Sequence, residues 1–141
     1  MSCVGFFTPR QLARVRAAAA DTTPVSSFRS PPATEAKIDR VRSMAGSADP
    51  RIRESAALSS LADRAVLSAL AADRERSVRC CVARNEHAPA AVLELLAADT
   101  DAGVRGWVAA NASTPSSVLE RLADDADPTV QAVVAWAARW D

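Results

Sequence analysis

An internal repeat of 26 residues dominates the sequence. Residues 61–86 and 87–112 are identical at 13 of 26 positions, and residues 87–112 and 113–138 at 12. Residues 35–60 share only four positions with the next unit but stay apolar at Val41, Met44 and Ile52, where that unit has Leu67, Leu70 and Val78. A unit this short cannot bury its apolar side chains alone, so neighbouring units must stack and share a core. The period therefore restricts this part of the chain to a linear stack.

Each unit is predicted to contain two short helices. In the last unit, Thr114-Pro115 and Asp127-Pro128 each place a capping side chain before a proline at the first helical position, and apolar residues at helical spacing follow. The first helix of a unit has only about two to three turns, which is short enough for a partly 3₁₀ geometry. We expect capping at the unit ends by Asp49, Glu75, Asp101, Asp127, Asn85 and Asn111.

The composition agrees with an all-α fold. The 141 residues include 32 alanines, and alanine is the best helix former, but only four glycines and eight prolines. That is too few turn residues for a β-sandwich or barrel. We predict one α-solenoid domain of about four two-helix repeats. The predicted units are residues 35–60, 61–86, 87–112 and 113–141.

Several chemistries are disfavoured. Cys3, Cys80 and Cys81 are an odd number of thiols with no CxxC spacing, and His87 is the only histidine, so no metal site is expected. No nucleophile–base pair or glycine-rich phosphate loop occurs at a convincing spacing, so we do not expect an enzyme. No export signal or stretch of membrane-spanning length is evident, which indicates a cytoplasmic protein.

The pattern from Val92 to Asn111, V-L-x-x-L-A-x-D-x-D-x-x-V-R-x-x-V-A-x-N, resembles the leucine-rich repeat variant family, a relative of the HEAT-like solenoids. The resemblance extends over roughly residues 35–141. It implies a right-handed stack of short helices that acts as a binding scaffold. Some relatives carry an iron–sulfur cluster ahead of the repeats. Only Cys3 precedes them here, where four thiolates are needed, so no cofactor is expected.

The first 34 residues differ from the repeats. Residues 1–21 are predicted to form a short basic helix or arm, and residues 22–34, rich in proline and serine, an extended linker. The arm is a candidate partner-binding segment, with protein, nucleic acid or an anionic membrane as its target; a disordered tail or a cap over the first repeat is the alternative. Its candidate residues are Phe6, Phe7, Arg10, Arg14 and Arg16.

A ladder of arginines recurs with the repeat, at Arg53, Arg79 and Arg105. One hypothesis is a row of guanidinium groups that binds an acidic partner or phosphates. The other, which we favour, is that each arginine pairs with an acidic side chain at the loops and joins successive units. The acidic side chains available at the same period include Asp73, Asp99 and Asp125.

The tryptophans have different predicted roles. Trp107 aligns with the apolar positions Cys81 and Val133, which predicts a packing role. Trp136 and Trp140 lie four apart at the end of the last unit, where a solenoid normally needs a polar face. They form either a cap folded over the core or an exposed docking patch.

Balanced totals of 17 basic and 17 acidic residues conceal an uneven distribution. Residues 1–53 have a formal charge of +5, from nine basic and four acidic groups, and residues 85–141 have −6, from three and nine. Our principal hypothesis is a non-catalytic protein–protein interaction module. The alternatives are a nucleic-acid or ribonucleoprotein binder that uses the basic arm and the arginine ladder, and self-association through the oppositely charged ends.

Overall fold

The computed structural model describes residues 34–139. They form eight α-helices and no strands, joined by short loops, as an all-α solenoid requires. The helices are α1 (Glu35–Ala45), α2 (Pro50–Ala57), α3 (Arg64–Leu70), α4 (Arg76–Arg84), α5 (Ala90–Leu96), α6 (Ala102–Ala109), α7 (Ser116–Ala123) and α8 (Pro128–Ala137). Each predicted unit contributes one consecutive pair of helices, from α1 and α2 to α7 and α8.

The helices stack by their position within the unit. The second helices form a continuous row, in which α2 packs on α4, α4 on α6 and α6 on α8. The first helices pack mainly against the second helices on either side of them. The core therefore runs along the stack and has no single centre, as expected for units that contact only their neighbours.

The core consists of valine and leucine side chains at recurrent positions. Leu67 and Leu93 are fully buried in α3 and α5. One valine recurs as the third residue of α4, α6 and α8, and it is at most 1% exposed in each. Ile52 holds the same position in α2 but is 40% exposed, because no described unit packs in front of it. The recurrent valines are Val78, Val104 and Val130.

Aspartate side chains cap the N-termini of three of the second helices. Asp49, Asp101 and Asp127 each accept a hydrogen bond from the backbone N–H two residues later, at 2.8–2.9 Å. Glu75 is the N-cap residue of α4, as predicted, but its side chain makes no capping hydrogen bond. The longer glutamate reaches the first turn less readily than aspartate does.

Two further expectations for the helix ends need correction. The short first helices are α-helical throughout, and in α3 the N–H of Leu67 donates to the carbonyl of Asp63, four residues earlier, at 3.0 Å. Thr114 does not cap α7, because its side chain is buried and donates to the carbonyl of Val108 at 2.6 Å. The threonine therefore closes the end of α6.

Asparagine side chains join the ends of successive units, as predicted. Asn111 Nδ2 donates to the carbonyls of Ala83 and Asn85 at 2.7 and 2.9 Å, and its Oδ1 accepts from the N–H of Ser113 at 2.8 Å. Asn85 makes the equivalent bonds one unit earlier. Each amide thus satisfies backbone groups that the helix ends leave unpaired.

Candidate protein-binding surface

The arginine ladder is an internal joint between units. Arg79 Nε donates to Asp99 Oδ2 at 2.7 Å and Nη2 donates to Asp99 Oδ1 at 3.1 Å, while Nη1 donates to the carbonyl of Asp73 at 2.9 Å. Each guanidinium is thus held by a carboxylate 20 residues later and by the loop of its own unit. The other members of the ladder are the pairs Arg53–Asp73 and Arg105–Asp125.

These ion pairs are largely removed from water. The Arg79 and Asp99 side chains are 17% and 8% exposed, and the members of the other two pairs are no more than 15% exposed. The hydrogen bond from Arg105 lowers the pKa of Asp125, and burial only partly opposes that shift. The structural interpretation of the ladder is therefore confirmed, because its guanidinium groups are already engaged inside the solenoid.

The ladder ends in neutral residues on both sides. Ser47 holds the position of the aspartates in the first unit, and Gln131 holds the position of the arginines in the last. Gln131 Nε2 keeps the bond to the loop carbonyl of its own unit, at 2.6 Å from Asp125 O. Neither end leaves a ladder charge without a counter-ion.

The two cysteines in α4 differ in exposure as predicted. Cys81 is buried in the core and Cys80 is half-buried. Burial raises the pKa of both thiols above the usual range, so the reactive thiolate is a minor form at neutral pH. At Cys80 the neighbouring Arg76 and Arg79 act to lower the pKa, but burial outweighs them.

Several candidate residues lie outside the described part of the chain. The candidates of the basic arm and the last tryptophan belong to this group, namely Phe6, Phe7, Arg10, Arg14, Arg16 and Trp140. Trp136 is described, and its side chain is 54% exposed beside a cavity of about 480 Å³ lined also by Leu119, Asn111 and Thr114. More than half of this indole remains accessible to solvent.

Trp107 does not have the predicted core position. Its side chain is 44% exposed on α6, whereas the aligned Cys81 is 8% exposed. The aligned Val133 is partly buried, so burial at this position differs from one unit to the next. The ring lies instead under the guanidinium of Arg84, whose Cζ is 4.7 Å from its centroid. This distance is within the range of a cation–π interaction.

An open groove runs between α6 and α8 beside Trp107. It encloses about 360 Å³ and is lined by small or apolar side chains together with Asp127 and Thr129. A Cβ placed on Gly106 would have no neighbour within 4 Å, which shows how open the floor is. The other lining residues are Ala102, Gly103, Ala110, Val130 and Val133.

The groove exists because small residues replace long ones on α6. In α4 the equivalent positions carry Arg76, Cys80 and Arg84, whose side chains cover the surface between α4 and α6. In α6 they are alanine or glycine, so none of the side chains at these three positions covers the surface between α6 and α8. We did not predict this groove from the sequence. The sequence signal that could have revealed it is that Ala102 and Ala110 replace Arg76 and Arg84 in the aligned unit.

Together these residues form one exposed surface, which we name the Trp107 surface. It comprises the indole of Trp107, the stacked Arg84 and the groove between α6 and α8. No helix among residues 34–139 is long and apolar enough to cross a membrane.

Comparison with known proteins identifies the repeat. A family model described as leucine rich repeat variant matches residues 102–127, which is one full period from α6 to the capping aspartate of α8. No curated protein and no solved structure gives a significant match. Repeats of this family are generally protein-interaction modules with no catalytic role. One unit of the described solenoid therefore matches the leucine rich repeat variant model, and the neighbouring units share its sequence pattern.

Proposed function

We propose that this protein is a non-catalytic adaptor that binds a protein partner on the Trp107 surface. The observation that carries the proposal is an indole left 44% exposed beside an open, mainly apolar groove on a rigid helical row. Tryptophan and arginine are the residues that most often dominate the energy of protein interfaces. Here the two are stacked together, and the adjoining cavity is of a size that admits a partner's side chain.

The nucleic-acid alternative loses one of its two supports. It relied on the arginine ladder and on the basic arm, and the three ladder guanidiniums are held by buried carboxylates. Phosphate recognition needs cations that are free to displace counter-ions. This alternative now depends on the arm alone. Binding through the arm and self-association through the charged ends stay predictions.

Affinity capture from a native lysate of the source organism tests the proposal. The bait variants are Trp107→Ser and Leu95→Ser, the second being a matched control because Leu95 is 57% exposed on α5, in the other row of helices. We expect one set of proteins to bind the wild type and the Leu95→Ser control but to be lost with Trp107→Ser. Treating the lysate with nuclease should leave that set unchanged.

Circular dichroism melting of each bait shows whether the repeats remain folded. Trp107→Ser removes an exposed cation–π contact worth about 0.5–1 kcal/mol, which a folded solenoid tolerates. If a folded Trp107→Ser bait captures the same proteins as the wild type, the Trp107 surface is not the binding site and the proposal fails.

A further inference from the structure

We propose that the groove between α6 and α8 binds an arginine side chain of the protein partner, with its guanidinium on the carboxylate of Asp127. The inference rests on the proposed function, because it names the chemistry that the Trp107 surface recognises. Its evidence is a side chain of this protein that already occupies the equivalent place one unit earlier.

That occupied place lies between α4 and α6. Arg76 extends from α4 across the gap, and its Nε lies 2.8 Å from Oδ2 of Asp101, the aspartate that caps α6. The guanidinium passes over Gly103, where a Cβ would collide with it. Oδ1 of Asp101 meanwhile accepts from the N–H of Gly103 at 2.8 Å. One carboxylate thus caps a helix and holds an arginine at the same time.

The groove between α6 and α8 keeps the capping aspartate of this arrangement but lacks the arginine, and Thr129 stands where Gly103 leaves room for the guanidinium of Arg76. Asp127 caps α8 with Oδ1, which accepts from the N–H of Thr129 at 2.8 Å. Ala102 stands where Arg76 stands one unit earlier, so no side chain of α6 reaches across. Among the described residues, Asp127 forms no ion pair within 4.0 Å, although Arg105 is within electrostatic range of it, and Asp127 lines the groove.

The walls of the groove suit the rest of an arginine. Its aliphatic stem would lie along Ala102 and Gly106, where the floor is open, and against the indole of Trp107. Arginine buries such a stem against apolar surface while its charge stays at the rim. Thr129 replaces Gly103 at the carboxylate end, so the guanidinium approaches Asp127 from the α6 side, where the residues are smallest.

Charge favours a basic occupant. Residues 85–141 contain three basic and nine acidic groups, a formal charge of −6. Asp99, Arg105 and Asp125 of this segment belong to arginine ladder pairs. Without these three residues, the acidic groups of the segment still outnumber its basic groups. A planar guanidinium also matches a carboxylate with two parallel hydrogen bonds, which an ammonium group cannot do. An arginine within a basic segment is therefore the expected ligand.

A titration of the full-length protein, labelled with ¹⁵N, tests the proposal by NMR. The probe is the peptide acetyl-Gly-Arg-Gly-amide, and its control contains citrulline, the neutral isostere of arginine. We expect saturable shifts of the Thr129 amide and the Trp107 indole N–H, with a Kd in about the millimolar range for so small a ligand. The citrulline peptide should bind up to about fivefold more weakly, because it lacks the charge-assisted bonds of a partly exposed ion pair.

Two variants locate the site. Asp127→Asn keeps an equally good helix cap but removes the charge, and it should weaken binding of the arginine peptide by up to about fivefold. Asp124→Asn, an exposed aspartate in the same loop, is the matched control and should bind as the wild type does. Ala102→Arg restores the residue found at position 76, and the new side chain should fill the groove and abolish binding without lowering the Tm.

The proposal is overturned if the citrulline peptide binds as tightly as the arginine peptide, or if Asp127→Asn binds the arginine peptide as tightly as the wild type does. It is also overturned if the NMR shifts lie away from Thr129 and Trp107, or if no saturable binding occurs. The result is separable from the proposed function. A partner set lost with Trp107→Ser while the arginine peptide fails to bind would keep the Trp107 surface as a docking site but assign it a different ligand.

Discussion

Removing one arginine of the ladder should destabilise the stack far more than removing an exposed arginine from the same helix. Arg79 and Arg76 both lie on α4, and both pair with an aspartate in the unit that follows. Their environments differ, because the Arg79 side chain is 17% exposed and the Arg76 side chain 63%. The two substitutions therefore compare a buried and an exposed ion pair across one helix interface.

The expected magnitude follows from what Arg79→Ala leaves behind. Asp99, with 8% of its side chain exposed, loses both guanidinium hydrogen bonds and stays charged in a poorly hydrated position. The carbonyl of Asp73 also loses its donor. Removing one partner of a buried pair costs about 3–5 kcal/mol, and the residual exposure of Arg79 places this case at about 3 kcal/mol. That is a large fraction of the stability of a domain of this size.

Urea unfolding, followed by circular dichroism and by tryptophan fluorescence, measures the effect. The two probes must give coincident transitions before a free energy is assigned, because stacked repeats can unfold one after another. Arg76→Ala should cost clearly less, since exposed ion pairs contribute little. The double variant Arg79→Leu with Asp99→Leu should recover part of the loss, because it leaves no unpaired charge. Equal losses for Arg79→Ala and Arg76→Ala would refute this account of the ladder.

Further perturbations test other parts of the stack. Acid should weaken folding. Burial raises the pKa of Asp99, but the hydrogen bonds from Arg79 and the backbone lower it by more, so the pKa in the folded protein lies below the unfolded value of about 3.9. The stability that Asp99 contributes is therefore complete above the unfolded pKa and is lost as the pH falls through the folded pKa, which urea midpoints from pH 7 to pH 3 would show. Leu93→Ala should cost about 3 kcal/mol in urea unfolding and Leu95→Ala, at an exposed position, under about 0.5 kcal/mol. Asn111→Ala should cost about 2 kcal/mol by the same assay, because the carbonyls that its amide satisfies lose their donor. Cys81 should react with iodoacetamide at pH 7 only as fast as the protein unfolds, and rapid labelling mapped by mass spectrometry to Cys81, rather than to Cys80 or Cys3, would contradict its burial.

Features that recur at the 26-residue period could be predicted from the sequence. The helix pairs, the capping aspartates and the asparagine bonds each depend on a residue type at a fixed offset within one period. A residue that occurs once could have either a structural or a binding role. When the same residue type recurs at the same position of successive units, it has the same local surroundings in each, which indicates a structural role. The pairing of Arg79 with Asp99 was predictable for the same reason.

Departures from the repeat were decided by the tertiary structure. Trp107 shares an alignment column with Cys81, and only the packed helices show that the thiol is buried and the indole exposed. The groove beside it arises between two helices, from small residues on α6 and the absence of any side chain that reaches across from it. The sequence by itself determined the period, the helices and the joints between units, because these depend on local chemistry. Which side chains remain exposed to a partner depends on how side chains of different size pack against one another, and these contacts form only when the units stack.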